Sequence, residues 1–123
     1  VALAIREKGL DRVALLGTKY TMQMDFYRDR LLENGISAII PDAEGIQWIN
    51  QSIYEELDKG IFREETRQEY LRIINQLTGQ GAQGVILGCT EIPLLIKQEH
   101  AQVPVFHTAW RHANAAVDFV LAD

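Results

Sequence analysis

Four short apolar runs punctuate the chain, and each empties into a polar turn followed by a segment of helical periodicity. The runs are Val13 to Leu16, Ile36 to Ile40, Gly84 to Leu87 and Val103 to Phe106. They are too short for typical helices and apolar on all residues but Ser37, which fits strands of a parallel sheet covered on both faces. Strands alternating with helices require crossover connections, so helices should cover both sides. The expected fold is α/β: a four-stranded parallel sheet flanked by helices on both faces, a three-layer domain of flavodoxin- or Rossmann-like kind. A strand order of 2-1-3-4 is expected, because it brings the polar loops to one sheet edge.

The segments between the runs read as helices. After the first run, Met22, Phe26, Leu31 and Leu32 are the expected core contributors, and Asn34-Gly35 ends the helix. Pro41-Asp42 closes the second run, with Asp42 a candidate cap. Ile46, Ile49, Ile53, Tyr54 and Leu57 then recur at helical spacing until Lys59-Gly60. A long helix is expected from about Arg63 to Leu77, with Tyr70, Ile73, Ile74 and Leu77 as its stripe and a solvated charged face. A short helix spans Ile92 to Lys97. Pro104 suggests that the fourth strand starts there or lies at an edge. A last helix carries Ala109, Ala113, Ala116, Val117, Val120 and Leu121, with Thr108 as its cap.

Length and composition restrict the function. With 123 residues, 47% hydrophobic and 24% charged, one ordinary globular domain is expected. A net charge of −5 with no basic run argues against nucleic acid. No apolar stretch approaches the roughly 20 residues of a membrane span, and no signal peptide is visible. The single cysteine excludes an internal disulfide, and no Cys/His cluster has zinc spacing. A reducing cytoplasm is the expected compartment. The chain opens in mid-pattern, Val1 to Gly9, like the last turns of a helix closed by glycine. Residues 1–9 are therefore expected to end a helix from a preceding domain, and 10–123 to form the α/β domain.

The stretch Gly84 to Pro93, sequence GVILGCTEIP, carries the chemistry. Its strand turns through Gly88, presents Cys89, and continues as Thr90-Glu91 into a helix with Pro93 in its first turn. Open α/β sheets bind ligands where a strand empties into a helix. Unpaired amides and the dipole favour an anion at such a point, and a thiol there should have its pKa lowered. A free cysteine is also commonly a small buried hydrophobe. The position of Cys89, beyond a glycine and before two polar residues, tips the balance towards function.

Other candidates follow predicted strand ends. Gly17-Thr18-Lys19-Tyr20-Thr21 could cradle a carboxylate or phosphate, or Thr18 and Thr21 could simply cap a helix. Neither GxxxxGK[ST] nor GxGxxG is present. Lys59 sits at a helix end, where a cation already complements the dipole. His107 follows the fourth strand and could exchange a proton or serve as a turn residue. His100 and His112 read as surface residues. No Asp/Glu pair has a spacing that marks acid–base chemistry.

The combination of Gly88-Cys89-Thr90-Glu91 after a strand, Gly17-Thr18 after an earlier strand, and Lys59-Gly60 thirty residues before the cysteine resembles the aspartate/glutamate racemase family. The likeness runs along nearly the whole chain and is greatest to the C-terminal half of a bacterial aspartate racemase, including the broad-specificity and glutamate-preferring types. It implies a cofactor-independent enzyme of two similar α/β domains, with two groups facing each other across the substrate Cα. By that resemblance Cys89 is the acid/base of this half, and Lys59 pairs with a substrate carboxylate. Thr90 contacts the α-carboxylate, Thr18 and Thr21 belong to the hydroxyl turn, and Glu91 stands behind the contact layer. The implied partners are an amino-acid substrate and the N-terminal half of the same protein, with a homodimer compatible. No metal is implied. The second proton-transfer group would lie in the other half, so this chain alone should not racemise. Two other readings stand beside this one: a one-thiol enzyme like arylmalonate decarboxylase, and a flavodoxin-like binding domain with a structural cysteine.

Overall fold

A computed structural model describes residues 2–107. Strands β1 (Arg12–Leu16), β2 (Ser37–Ile39), β3 (Val85–Leu87) and β4 (Val105–His107) form one parallel sheet in the order β2-β1-β3-β4. This is the 2-1-3-4 order expected from the sequence. Leu15 pairs with Ile86, and Ile86 in turn with Phe106, so the central strands lie level.

The period of two along each strand divides the core into two layers. Ala14, Leu16, Val85 and Leu87 face α4 (Ala43–Glu55), α5 (Glu64–Gly79) and α6 (Ile92–Leu95). Val13, Leu15 and Ile86 face the other way, onto α1 (Ala2–Glu7) and α3 (Asp25–Glu33). Both faces of β1 and β3 are therefore covered, which explains their unbroken apolar sequence. Ala2 and Ile5 of α1 are buried in the same core as Val13 and Ile86. No helix among the described residues is long and apolar enough to cross a membrane.

The stripes expected for α4 and α5 hold at most positions. Ile46, Ile49 and Ile53 are buried, as are Tyr70, Ile73, Ile74 and Leu77. Tyr54 is a correction: it is 54% exposed, because it stands about 100° around the helix from Ile53. Leu57 is buried in a one-turn 3-10 helix, Leu57–Lys59, that Gly60 closes at φ +77. That left-handed value suits glycine.

The helix expected after β1 is two helices. Met24 is extended at ψ 137 and separates α2 (Lys19–Gln23) from α3. The break resets the helical phase, and the buried face becomes Tyr27 and Leu31, four residues apart. Phe26 and Leu32, expected in the core, are 67% and 62% exposed. Met22 and Leu31 are buried as expected. The Asp42 carboxylate caps α4 by accepting the Gly45 N–H at 2.8 Å. The helix after Cys89 is shorter than expected and ends at Leu95. Thr108, the helix over 109–121 and His112 lie outside the described residues.

Two substitutions test this packing by chemical denaturation. Asp42→Ala should lower stability by about 1 kcal/mol, the usual loss for an N-cap. Ile86→Ala, in the middle of the central strand, should lower it by about 2–5 kcal/mol.

Candidate functional site

All four strands run the same way, so their C-terminal ends share one edge. In this strand order the connections leave β1 towards β2 and return across to β3, so the switch point lies between β1 and β3. Ligand crevices of open α/β sheets form there. The turns after these two strands begin with Gly17 and Gly88, and they touch. The Gly88 N–H donates to the Leu16 carbonyl at 2.6 Å. A Cβ on Gly88 would stand 3.0 Å from that same carbonyl oxygen and 3.2 Å from Thr21 Cγ2. A Cβ on Gly17 would meet the Thr21 side chain at 3.2 Å. A Cβ would be tight at both places, against the Thr21 side chain beside Gly17 and against a backbone oxygen beside Gly88.

The Gly17 turn runs into α2, which Thr18 caps. Thr18 Oγ1 accepts the Thr21 N–H at 3.2 Å and lies 3.2 Å from Thr21 Oγ1. The capping role weighed for these threonines is thus real, and it fixes both hydroxyls at the switch point. Asn50 of α4 accepts the Lys19 N–H at 2.7 Å and ties the turn to the next layer.

Cys89 is half-buried and packs on the core face that holds α4, α5 and α6. Its sulfur accepts the Ile92 N–H at 3.4 Å. The expected depression of its pKa is not what this setting produces. Burial is the largest influence and pushes the Cys89 thiol up. The Ile92 and Glu91 backbone N–H groups oppose that rise, whereas the Glu91 carboxylate adds to it by charge and as a hydrogen-bond partner of the thiol. A four-residue helix supplies too few amides to outweigh desolvation. Thr90 is exposed at the mouth, and Glu91 is half-buried.

Lys59 lies in the 3-10 turn, which packs beside α6. The side chain is exposed, and its ammonium has no carboxylate partner among the described residues. His107 is the last residue of β4, in register with Leu87, and so belongs to the strand rather than to the turn beyond it. His100 is half-buried, and its Nδ1 accepts the Lys97 N–H at 2.9 Å, so it caps a 3-10 turn. Among the described residues no group of three His, Cys, Asp or Glu side chains could hold a metal.

Sequence reasoning missed the polar contacts beneath this edge. Ser52 Oγ donates to the Ile49 carbonyl at 2.8 Å and lies 2.6 Å from the Tyr70 hydroxyl, which therefore donates to it. Tyr70 packs edge-on to Trp48 with centroids 4.9 Å apart. Burial raises the Tyr70 phenol, and the charges of Cys89 and Glu56 raise it further. Thr66, 4% exposed, donates to the Glu56 carboxylate at 2.6 Å. A signal existed: Thr66 stands four residues before Tyr70 and so falls on the apolar stripe of α5.

The sequence model of the Asp/Glu/hydantoin racemase family matches residues 1–116. A crystal structure of a candidate Asp/Glu racemase from Yersinia pestis superimposes with a TM-score of 0.82 and 45% identity, over 99% of this chain and 51% of that one. An aspartate racemase homologue from Pyrococcus horikoshii OT3 gives 0.80 and 42%, over 85% of this chain and 46% of that one. An uncharacterized protein of the pnlA 3′ region in Pectobacterium carotovorum subsp. carotovorum is 31% identical over 96 residues, 78% of this chain and 63% of the relative. The chain thus spans about half the length of the two structures it matches.

Alkylation of the single thiol should follow a titration midpoint above about 8.5, the ordinary cysteine value. The same rise predicts a slope in stability. Below that value thiols are protonated in both states; as pH rises, the unfolded thiol ionises first, so stability falls through the folded pKa. Urea titrations between pH 8 and pH 10 should show this loss, and Cys89→Ser should lack that part of it.

Proposed function

Since the chain belongs to the Asp/Glu/hydantoin racemase family, we propose that it is the C-terminal domain of a cofactor-independent racemase acting on aspartate or glutamate, with Cys89 as one of two acid/bases. The observation that carries this reading is the position of the sulfur. Cys89 follows Gly88, which abuts Thr21 in the turn after β1, and the Ile92 N–H donates to its sulfur.

The chemistry follows from the charge that develops. A base on one face of the substrate removes the α-proton, and the electron pair spreads into the α-carboxylate. Cys89 then gives its S–H proton to the opposite face and becomes a thiolate, which the Glu91 and Ile92 amides stabilise. In the reverse direction Cys89 is the base. A thiol held protonated by burial suits the donor role first. Thr90 and the hydroxyl turn of Thr18 and Thr21 bind the α-carboxylate, and Lys59 binds the distal one. Glu91 stays behind the contact layer and biases the thiol.

Racemisation needs a group on each face, and Cys89 is the only thiol in these 123 residues. The chain spans about half of the structures it matches, and in this reading the opposing group belongs to an N-terminal half of the protein. The chain alone should bind without turnover. The half-burial of Cys89 also lends weight to a second reading, a binding domain with a structural cysteine. A thiol that alkylates slowly at every pH would favour it.

In the full-length protein, Cys89→Ser should abolish exchange of the substrate α-proton with solvent, followed by NMR in deuterated water; retained full exchange rules out the acid/base role. Lys59→Ala should raise KM for dicarboxylic substrates by about tenfold or more, the scale of one lost charged contact. An unchanged KM would remove Lys59 from the site.

A further inference from the structure

Two bonds from neighbouring residues of α5 reach the two sides of the candidate site. Thr66 donates to the Glu56 side chain at 2.6 Å. Glu56 is the pivot of the lysine turn, since its carbonyl accepts the N–H groups of Lys59 at 3.0 Å and Ile61 at 2.9 Å. Arg67 Nε donates to the Leu95 carbonyl at 2.9 Å, at the far end of the helix that begins beside Cys89. The same guanidinium pairs with Glu64 one turn earlier.

Neither segment would be stable alone; Leu57 anchors one in the core and Ile92 and Leu95 the other, and the two α5 bonds add to that anchoring. A four-residue helix lies far below the length that is stable alone, and a single 3-10 turn is no better. The Leu95 carbonyl is one of the orphan acceptors at a helix end, and Arg67 satisfies it. The 16-residue α5, anchored by Tyr70, Ile73, Ile74 and Leu77, is the rigid body to which both are tied. Thirty positions of chain separate Lys59 from Cys89, and the α5 bonds add a polar link to the direct packing of the lysine turn on α6.

We propose that Thr66 and Arg67 are positioning residues that set the lysine turn and the cysteine helix relative to each other, and so fix which length of substrate the site accepts. The proposal rests on Lys59 holding the distal carboxylate and Cys89 exchanging the α-proton. Thr66 acts through Glu56 on Lys59; Arg67 acts through Leu95 on Cys89. Neither touches substrate.

The test uses the full-length enzyme. Thr66→Val removes one hydrogen bond and should raise KM about fivefold with little change in kcat, and Thr66→Ser should restore it. In a Lys59→Ala background the same change should raise KM no further, because the residue it positions is gone. An unchanged KM, or an equal rise in both backgrounds, overturns the proposal. If Lys59→Ala itself leaves KM unchanged, the functional reading has failed first, and that single variant tells the two failures apart. Arg67→Met should lower kcat about fivefold while Cys89 alkylation becomes faster, because the freed helix exposes the sulfur. An altered melting temperature with both rates unchanged makes Arg67 merely structural and overturns its role. Should Arg67→Met not fold, Arg67→Lys keeps the charge, loses the Nε donor, and is read by the same two rates.

Discussion

The candidate site depends on how closely two parallel strands can end beside each other. Past Leu16 and Leu87 the sheet has no further ladder bonds to give, yet the Gly88 N–H still reaches the Leu16 carbonyl at 2.6 Å. That bond extends the β1/β3 contact by one residue and pins the two turns together. It leaves no room for a Cβ on Gly88, 3.0 Å from a backbone oxygen. The turn that holds Thr21 and the turn that leads into Cys89 are thus brought together through Gly88. Every functional assignment proposed for this edge presupposes that junction.

Beneath the junction, the helical layer of α4 and α5 supports the edge with both apolar and polar contacts. Isoleucine and leucine stripes fill the space against Ala14, Leu16, Val85 and Leu87. Inside that layer the Ile49–Ser52–Tyr70 chain satisfies a buried phenol without water. Such a fully paired network costs little to bury and fixes the relative rotation of the two helices. Trp48, edge-on to Tyr70, closes the same layer from the side. The layer against which Cys89 packs is therefore well filled, while Lys59 and Thr90 are exposed.

Most of the fold was legible because both faces of the sheet are covered. A run such as Val13-Ala14-Leu15-Leu16 reads as a buried strand when turns bound it; the strand order was only suggested by the polar loops, because tertiary packing sets it. The stripe of α5 was legible for the same reason: four apolar residues at helical spacing with charge elsewhere. Phe26 and Leu32 were misread because the phase of a helix depends on where it starts, and Met24 restarts it. Nothing in the composition of residues 19–33 announces that break, since no Gly or Pro marks it. At the site, Cys89, Thr18 and Thr21 were visible from glycine-bearing turns after strands. The burial of Thr66 was hinted at by its place on the α5 stripe, but the partners of Thr66 and Arg67, Glu56 and the Leu95 carbonyl, are set by tertiary packing rather than by local pattern.

The protonation of Cys89 shows why a position alone does not set a pKa. The sequence places the thiol at a helix N-terminus, which lowers a thiol pKa when a long helix aims several amides and its dipole at an exposed sulfur. Here the helix is a single turn, and two backbone N–H groups oppose burial on one side and a carboxylate on the other. Desolvation wins. For a proton donor this is the useful outcome, since the S–H must persist until negative charge has formed next to it. For the reverse step the balance has to shift, and a candidate cation is Lys59, exposed and without a carboxylate partner among the described residues. A substrate ammonium would add to the same effect. At this sulfur the two amides already work against burial and the Glu91 carboxylate, and a bound cation would join them.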